Sequence, residues 1–149
     1  MCGQHFINKY TPPGGIVCPA VLVMEEVDFI DQYFISLTID RKTWNPIFTY
    51  SKYGGKTIER LLRERPESVK TLQIDYAQGI NLFAMKKIAE DLGCKNKAST
   101  LSFILKNIYE CFIQRDCLSI TINPLALTPK YDFRGIHCRI EIDDSAVYR

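Results

Sequence analysis

The sequence predicts an α+β domain with a largely antiparallel sheet. Segments of strand character come first, two long helical segments follow, and two alternating segments end the chain. The 149 residues are 46% hydrophobic and 24% charged, a composition typical of one globular domain that buries its own core. Residues 1–19 are rich in Pro and Gly, so we expect an irregular lead-in there and a domain over 20–149.

Four segments in the first half have strand character, because Val, Ile, Leu and Phe are frequent in them and charged residues or Asn-Pro separate them. The predicted strands are 20–27, 33–39, 46–50 and, more briefly, 72–75. After the third strand, Lys52-Tyr53-Gly54-Gly55 predicts a turn. A short helix is predicted over 57–65, ending before Pro66.

Two longer helices are predicted in the second half of the chain. Over 79–92, apolar residues recur every three or four positions, and Gly93 suits the helix end. For the second helix, Ser99 is predicted to be the N-cap. Its apolar stripe consists of Leu101, Leu105, Ile108 and Phe112. We expect the apolar residues of both helices to form the core.

The last two strands are predicted from period-two alternation, which is typical of a strand with one buried face. They span 117–123 and 136–142, and the connection between them is short enough for a hairpin. If the two strands pair, their polar face carries Thr121, Asn123, His137 and Arg139. This is the one place where the sequence assembles polar side chains on a rigid element.

Charge and composition exclude several classes of function. With 19 basic and 17 acidic residues, the chain has too even a balance to indicate binding to nucleic acid or to an anionic membrane. A small basic cluster is better explained as the solvated side of a short helix. That cluster consists of Arg60, Arg63, Arg65 and Lys70. No apolar run approaches the roughly 20 residues that span a bilayer.

The N-terminus and the cysteines indicate no targeting segment and no disulfide framework. Residues 1–17 have neither the apolar stretch nor the basic leader of a secretory signal, and their only basic residue, Lys9, indicates no transit peptide. None of the six cysteines forms a C-x-x-C pair. We therefore expect reduced thiols rather than a structural zinc site or disulfides.

Several motifs together resemble one family. Ile122-Asn123-Pro124-Leu125, after a predicted strand, resembles the I-N-P-[LM] signature of succinyl-CoA synthetase β subunits and of the related part of ATP-citrate lyase. Further matches occur in the family's order and cover about 20–149. They are Val21-Leu22-Val23 with Glu25, Asp40-Arg41, Ser51 with Gly54-Gly55 and Ile58-Glu59, Gly79 with Leu92-Gly93, and Ile140 with Tyr148-Arg149.

The resemblance implies an ATP-grasp-like C-terminal subdomain of a tricarboxylic-acid-cycle enzyme. The family ligates succinate and CoA reversibly, using ATP or GTP with Mg²⁺ and a phosphohistidine on a partner α subunit. It is mitochondrial in eukaryotes, which implies the mitochondrial matrix here. The family's N-terminal grasp subdomain should precede Val21 and its ligase domain should follow Arg149; we expect this chain to contain neither.

Carried over residue by residue, the resemblance places nucleotide contacts at Glu25 and Gln32 and metal ligands at Asn123 and His137. Counting back from Tyr148-Arg149 without gaps, His137 occupies the position of the family's metal-binding Asp. An imidazole is a poor ligand for Mg²⁺, which prefers hard oxygen atoms. If a gap is allowed, Asp132, Asp143 or Asp144 could be the ligand instead.

Two further positions on the same strands differ from the family. The acidic residue commonly found two before the Asn is Thr121 here, and the family's Lys is Arg139, which keeps the charge but not the geometry. Gln32 likewise replaces a Glu. Three carboxylates of the family are thus replaced, at Gln32, Thr121 and His137, on the face where a divalent cation should bind. We therefore expect Mg²⁺ and ATP or GTP to bind weakly or not at all.

These observations leave two main hypotheses. The chain is a degenerate β-subunit-like protein that docks on an α subunit or serves in a larger assembly, or it is a fragment of an active ligase. The first is favoured because fold does not imply retained function. Simpler explanations also stand: His137 as an ordinary polar residue on a strand, Asn123 as a strand-ending residue before Pro124, and Gly54-Gly55 as a turn.

Overall fold

The computed structural model describes residues 2–8, 11–146 and 148, and its centre is one six-stranded antiparallel sheet. A separate hairpin, β1 (His5–Phe6) and β2 (Ile16–Val17), lies within the segment predicted to be an irregular lead-in. The strands of the main sheet are β3 (Asp31–Ile39), β4 (Pro46–Ser51), β5 (Val69–Gln73), β6 (Cys117–Leu127), β7 (Phe133–Gly135) and β8 (Cys138–Ile142). Their order is β5-β4-β3-β6, and both β7 and β8 pair with the outer side of β6.

Three α-helices accompany the sheet: α1 (Ile58–Glu64), α2 (Leu82–Asp91) and α3 (Ala98–Gln114). Buried side chains of α2 and α3 join those of β3, β4 and β6 in one core. The predicted stripe of α3 is confirmed, since all four of its members are buried. Every strand pairing that the structure describes is antiparallel. The predicted α+β class with a largely antiparallel sheet is therefore confirmed.

Two helix starts were predicted wrongly. Helix α2 begins at Leu82 because Asn81 caps it, its side chain accepting a hydrogen bond from the Ala84 amide at 2.8 Å. Gly79 lies before the helix with a φ of 69°, a left-handed conformation that glycine adopts without strain. Helix α3 begins one residue before Ser99, so Lys97 is the N-cap and Ser99 lies inside the helix.

The predicted strand over 20–27 was also wrong. The structure gives this segment no strand partner in the described part of the chain, and Leu22 and Val23 are 85% and 89% exposed. An apolar run forms a strand only where a neighbouring strand pairs with it, and the sequence does not show which segments have such a neighbour. The same pattern correctly predicted β3, which lies between β4 and β6.

Two other strands are shifted from their predicted bounds. Strand β5 begins at Val69, earlier than predicted, because it pairs with β4 along Val69–Gln73. Strand β8 begins at Cys138, so Ile136 and His137 lie between β7 and β8. The alternation of β8 predicted a buried apolar face, but all five of its residues are exposed. Helix α3 packs on β3 and β6, and β8 lies beyond them at the sheet edge.

The hairpin joining β3 to β4 ends in an exposed aromatic residue. Trp44 has a positive φ of 59°, and its amide donates to the Asp40 carbonyl at 2.7 Å. The indole is 76% exposed. Non-glycine residues rarely adopt this backbone conformation. The tip is held by Asp40, whose carboxylate accepts hydrogen bonds from the Lys42 amide and the Thr43 hydroxyl.

Two simpler expectations concern membranes and thiols. In the described ranges, none of the helices combines the length and the apolar character required to cross a bilayer. All six cysteines are free thiols in the structure. Cys94 and Cys117 are buried, where cysteine packs as a small hydrophobic residue.

Candidate functional site

The turn after β4 lies directly against the start of β3. The Gly54 amide donates to the Gln32 carbonyl at 2.9 Å. A Cβ at Gly54 would lie 2.6 Å from the carbonyl oxygen of Tyr33, and one at Gly55 would lie 2.6 Å from Oε1 of Gln32. Gly55 also has a φ of 76°. Gly54 is therefore required by the close approach of the Tyr33 backbone, and Gly55 is required by its positive φ.

Asn123 fixes this turn from the other side. Its Oδ1 accepts a hydrogen bond from the Gly55 amide at 2.7 Å, and its Nδ2 donates to the Lys56 carbonyl at 2.8 Å. Both polar atoms of the carboxamide therefore serve the backbone of a segment distant in sequence. We call this arrangement the Asn123 clamp. It brings Asn123, Gly54-Gly55 and Gln32 together at one end of the sheet.

The structure places His137 opposite Asn123. The Asn123 amide donates to the His137 carbonyl at 2.9 Å, and the ladder continues with Thr121 opposite Arg139. The imidazole side chain is exposed. That His137 occupies the family's ligand position stays a prediction from the resemblance.

The three aspartates considered as alternatives lie elsewhere. Asp132 belongs to the tight turn after β6, where its carboxylate contacts the Thr128 hydroxyl and its carbonyl accepts from the Thr128 amide. Asp143 and Asp144 follow β8 at the opposite end of that strand, and the Asp143 amide donates to the Asp116 carbonyl at 2.9 Å. None of the three lies across from Asn123.

Hydroxyl and charged side chains follow Asn123 along the face of the sheet opposite the core, because alternate residues of each strand point to opposite faces. This polar face carries Ser36, Thr38, Thr49, Thr71, Ser119, Thr121, Arg139 and Glu141. Cross-strand pairing sets Thr71, Thr49, Ser36, Thr121 and Arg139 in one row. Within it, the hydroxyl oxygens of Ser36 and Thr121 are 2.7 Å apart.

The carboxylate on this face is too far from Asn123 to serve the same ion. Glu141 is four residues along β8 from His137, which corresponds to about 13 Å in a strand. It accepts from the Ser119 hydroxyl at 3.0 Å and from Arg139 at 2.5 Å. These hydrogen bonds hold the pKa of the Glu141 carboxyl below its ordinary value.

These donors do not fit Mg²⁺. The ion prefers oxygen ligands that include a carboxylate. Here the Asn123 oxygen already accepts the Gly55 amide, His137 lies opposite, and the cation Arg139 occupies the next row. Among the residues that the structure describes, no group of three or more His, Cys, Asp and Glu side chains is arranged to hold a metal ion.

A cavity of about 260 Å³ opens beside the same turn. Gln32 and Gly54 line it together with Asp31, Lys52 and Lys56. The Lys56 ammonium pairs with Glu64 at 2.8 Å on the exposed surface. Lys52 and Lys56 bring two positive charges to this end of the sheet, and the carboxylates of Asp31 and Glu64 balance them.

The remaining predicted site residues lie outside this cluster. Glu25 is exposed in the 20–27 segment and does not line the cavity beside Gln32. Arg149, which ends the family's closing motif, lies outside the described residues. The sequence did not lead us to expect Lys52 and Lys56 at the site, where they line the cavity. Their positions on either side of Gly54-Gly55 could have indicated this. Ser36 was also missed, and its signal was the alternation of polar and apolar residues along β3.

Comparison of the chain with known proteins shows to which family the cluster of Asn123, the two glycines and Gln32 belongs. A profile of the ATP-grasp domain family matches residues 1–127 of the sequence. The chain belongs to the ATP-grasp family. The match includes the Gly54-Gly55 turn and Asn123, so the residues of the Asn123 clamp lie within the family region.

Curated relatives narrow the assignment of this ATP-grasp chain. It is 33% identical over 149 residues to a protein of Trichlorobacter lovleyi named succinate–CoA ligase [ADP-forming] subunit beta. A protein of the same name from Bacteroides thetaiotaomicron is 35% identical over 136 residues. The alignments cover 99% and 91% of this chain but 38% and 36% of the relatives. The ATP-grasp chain is thus similar to succinate–CoA ligase β subunits over little more than a third of their length.

Solved structures agree on the fold of the ATP-grasp chain. The ATP citrate lyase of Methanothrix soehngenii, solved with citrate and coenzyme A, superposes with a TM-score of 0.69 at 15% identity. The superposition covers 99% of this chain and 32% of that one. At this identity the likeness shows a shared fold, and the predicted ATP-grasp-like fold is confirmed.

Proposed function

We propose that this ATP-grasp chain is a succinate–CoA ligase β-subunit-like protein that keeps the fold but not the metal-dependent chemistry, and that it acts by binding a partner. The observation that carries the proposal is the Asn123 clamp with His137 opposite. The oxygen that resemblance assigns to a metal ion accepts the Gly55 amide at 2.7 Å. The position that should supply a carboxylate supplies an imidazole.

Electrostatics supports the same conclusion. Phosphoryl transfer from a nucleotide requires divalent cations to neutralise charge across the phosphates. In this chain, Arg139 follows His137 along the polar face, and its guanidinium pairs with Glu141 at 2.5 Å. A cation bound beside Asn123 would be repelled by Arg139, and the carboxylates of Glu64 and Glu141 are already paired with Lys56 and Arg139. Lys52 and Lys56 at the cavity could still attract phosphate oxygens directly, but weakly, because they are exposed.

The partner that the relatives suggest is an α subunit. The relatives are named as β subunits, and a β subunit functions in an assembly. We propose that the chain docks on a succinate–CoA ligase α subunit or in a larger assembly of that kind. A mitochondrial matrix location remains a prediction from the resemblance; one relative, 29% identical, is named as the hydrogenosomal β subunit of Trichomonas vaginalis.

A second candidate is a fragment of an active ATP- or GTP-dependent ligase. The observation favouring it is that Gln32, Gly54-Gly55 and Asn123 assemble at one end of the sheet next to the cavity with its two lysines. An active half-site would bind nucleotide with Mg²⁺. The Asn123 oxygen accepts one hydrogen bond, from the Gly55 amide, and its second lone pair would be the one that faces a cation in such a half-site.

Nucleotide binding separates the two candidates. We expect calorimetry with ATP and with GTP, each with and without Mg²⁺, to show no binding tighter than about millimolar and no effect of Mg²⁺. His137→Asp should restore a carboxylate opposite Asn123 and make binding Mg²⁺-dependent. His5→Asp, the same change at the other histidine, is the matched control and should change nothing. Micromolar, Mg²⁺-dependent binding by the unaltered chain would favour the active fragment instead.

A further inference from the structure

Strand β8 forms an exposed edge of the main sheet. It pairs with β6 on one side, and no strand pairs with its other side in the described part of the chain. All five of its residues are exposed, and Ile140 and Ile142 are 47% and 56% exposed. Such an edge presents unpaired amide and carbonyl groups to another strand.

The backbone groups that face outward can be identified. The His137 carbonyl accepts from the Asn123 amide, and the Asp143 amide donates to the Asp116 carbonyl, so both residues point toward β6. Successive residues of an antiparallel strand direct their backbone groups to alternate sides. Cys138, Ile140 and Ile142 therefore direct their amides and carbonyls away from β6.

The sequence of β8 is complementary to itself about Ile140. If two copies pair antiparallel on a two-fold axis through this residue, Cys138 faces Ile142 of the second copy and Arg139 faces Glu141. Arg139 and Glu141 lie on the polar face, so opposite charges meet there twice. The outward-pointing residues become the hydrogen-bonded pairs that an antiparallel ladder requires. Backbone direction and side-chain charge thus agree on one register.

We propose that two copies of this chain associate through β8, joining their sheets into one continuous antiparallel sheet. This interaction surface is independent of the proposed function, because it requires neither nucleotide nor an α subunit. The apolar side of the joint consists of Cys138, Ile140 and Ile142 from both copies, which lie on the same face as the core residue Ile120. Pairing removes exposed apolar surface there, which favours association.

The opposite edge of the sheet lacks this complementarity. Strand β5 spans Val69–Gln73, and a two-fold axis through Thr71 would set Lys70 against Leu72 of a second copy. No charge pair forms, and the lysine would meet an apolar side chain. Self-pairing is therefore assigned to β8. Because five residues a side form a small interface, the dimer is weak and depends on concentration.

Sedimentation of the purified chain tests the proposal. We expect the sedimentation coefficient to rise with concentration toward that of a dimer. Ile140→Pro should abolish the rise, because it removes an outward amide while leaving the ladder to β6 intact. Circular dichroism should show that this variant still folds. A chain that remains monomeric up to about millimolar concentration would overturn the proposal.

Charge exchange tests the register. Arg139→Glu sets like charges opposite each other twice and should weaken the dimer about tenfold. Adding Glu141→Arg should restore dimerisation to within about threefold of the unaltered chain. Arg41→Glu makes the same change in net charge in the turn before Trp44 and should leave the dimer unchanged. Dimerisation that is insensitive to Ile140→Pro and to Arg139→Glu would assign association to another surface and contradict the proposal.

Discussion

The two faces of the main sheet use the same strands for different purposes. On the apolar face, Ile35, Leu37 and Phe48 pack beneath α2 and α3 in the continuous core. On the polar face, residues alternating with these carry hydroxyls and charges, and Ser36 meets Thr121. The apolar face is constrained by close packing. The polar face is also buried at Phe34, Ser36 and Ser51, but it is exposed at Arg139 and Glu141 on β8, and there its chemistry can change while the fold stays the same.

This difference would allow the chain to keep its fold while losing a metal site, as we propose. The replacements that the resemblance identifies, at Thr121, His137 and Arg139, fall on the polar face or next to it. None of these replacements lies in the core on the other face of β6, to which Ile120 belongs. Stability and chemistry are thus separated by the period-two geometry of the strands.

The largest expected effect comes from truncating the apolar face. Leu105 of α3 is fully buried, so Leu105→Ala should lower the free energy of unfolding by about 3 kcal/mol through lost burial and the cavity left behind. Thr49→Ala on the polar face should cost about 1 kcal/mol or less. Urea unfolding followed by circular dichroism measures both. Equal losses at the two positions would remove the distinction between the faces.

A smaller effect is expected where the polar face meets the turn. A Cβ at Gly54 would lie 2.6 Å from the Tyr33 carbonyl oxygen, and backbone atoms there cannot move freely. Gly54→Ala should therefore destabilise the chain by about 2 kcal/mol and loosen the Asn123 clamp. Gly14→Ala is the control, since nothing lies within 4 Å of a Cβ there. The same unfolding measurement applies, and unchanged stability of Gly54→Ala would show that the turn is not fixed against β3.

The smallest expected effect concerns two ion pairs. Lys70–Asp91 lies at the rim of the apolar face, and Arg139–Glu141 lies on the polar face. Burial opposes ionisation of Asp91, but hydrogen bonds from Lys70 at 2.5 Å and Tyr50 at 2.7 Å outweigh it and lower its pKa. A lowered folded-state pKa contributes stability above the unfolded value, and this is lost as pH falls through the folded value. Asp91→Asn should therefore destabilise the chain at pH 7, and the difference should fade toward about pH 2.

Glu141→Gln provides the comparison for this pH dependence. Its carboxyl pKa is also lowered, first by Ser119 and then by Arg139, but the side chain is exposed on the edge strand. Exposed pairs contribute little because water screens them. The loss of unfolding free energy caused by Asp91→Asn should be larger at pH 7 than at pH 3. The loss caused by Glu141→Gln should be close to zero at both pH values. A larger pH-dependent loss for Glu141→Gln than for Asp91→Asn would contradict the assignment of Lys70–Asp91 as the more stabilising ion pair.

The sequence predicted the elements whose pattern depends on the core. Helix α3 and strands β3, β4 and β6 were predicted because apolar spacing records which side is buried. Prediction from the sequence failed where the structure of a segment depends on which other strand or helix lies against it. The apolar segment 20–27 has no strand partner in the described part of the chain, and β8 lies past the helices, so identical patterns produced exposed residues. The start of α2 at Leu82, capped by Asn81, was missed because several residues after Gly79 could start a helix.

At the candidate site, the sequence predicted the neighbours but not their contacts. The resemblance, counted back from Tyr148-Arg149 without gaps, paired the positions of Asn123 and His137, and in the structure the Asn123 amide donates to the His137 carbonyl. That the Asn123 carboxamide binds the Gly55 amide and the Lys56 carbonyl depends on how a turn far away in sequence folds against β3. No local pattern in the sequence contains that information. The roles proposed for Glu25, Gln32, Asn123 and His137 stay predictions that nucleotide binding will test.

The exposed indole of Trp44 determines how this protein can be followed by fluorescence. It is the chain's single tryptophan, and it is 76% exposed in the folded state. Its emission maximum should therefore already lie near that of indole in water, and denaturation should shift it little. Dynamic quenchers such as iodide should reach it readily in the native chain. A blue shift or reduced quenching on mixing with another molecule would instead report contact at the β3–β4 hairpin tip, without any added label.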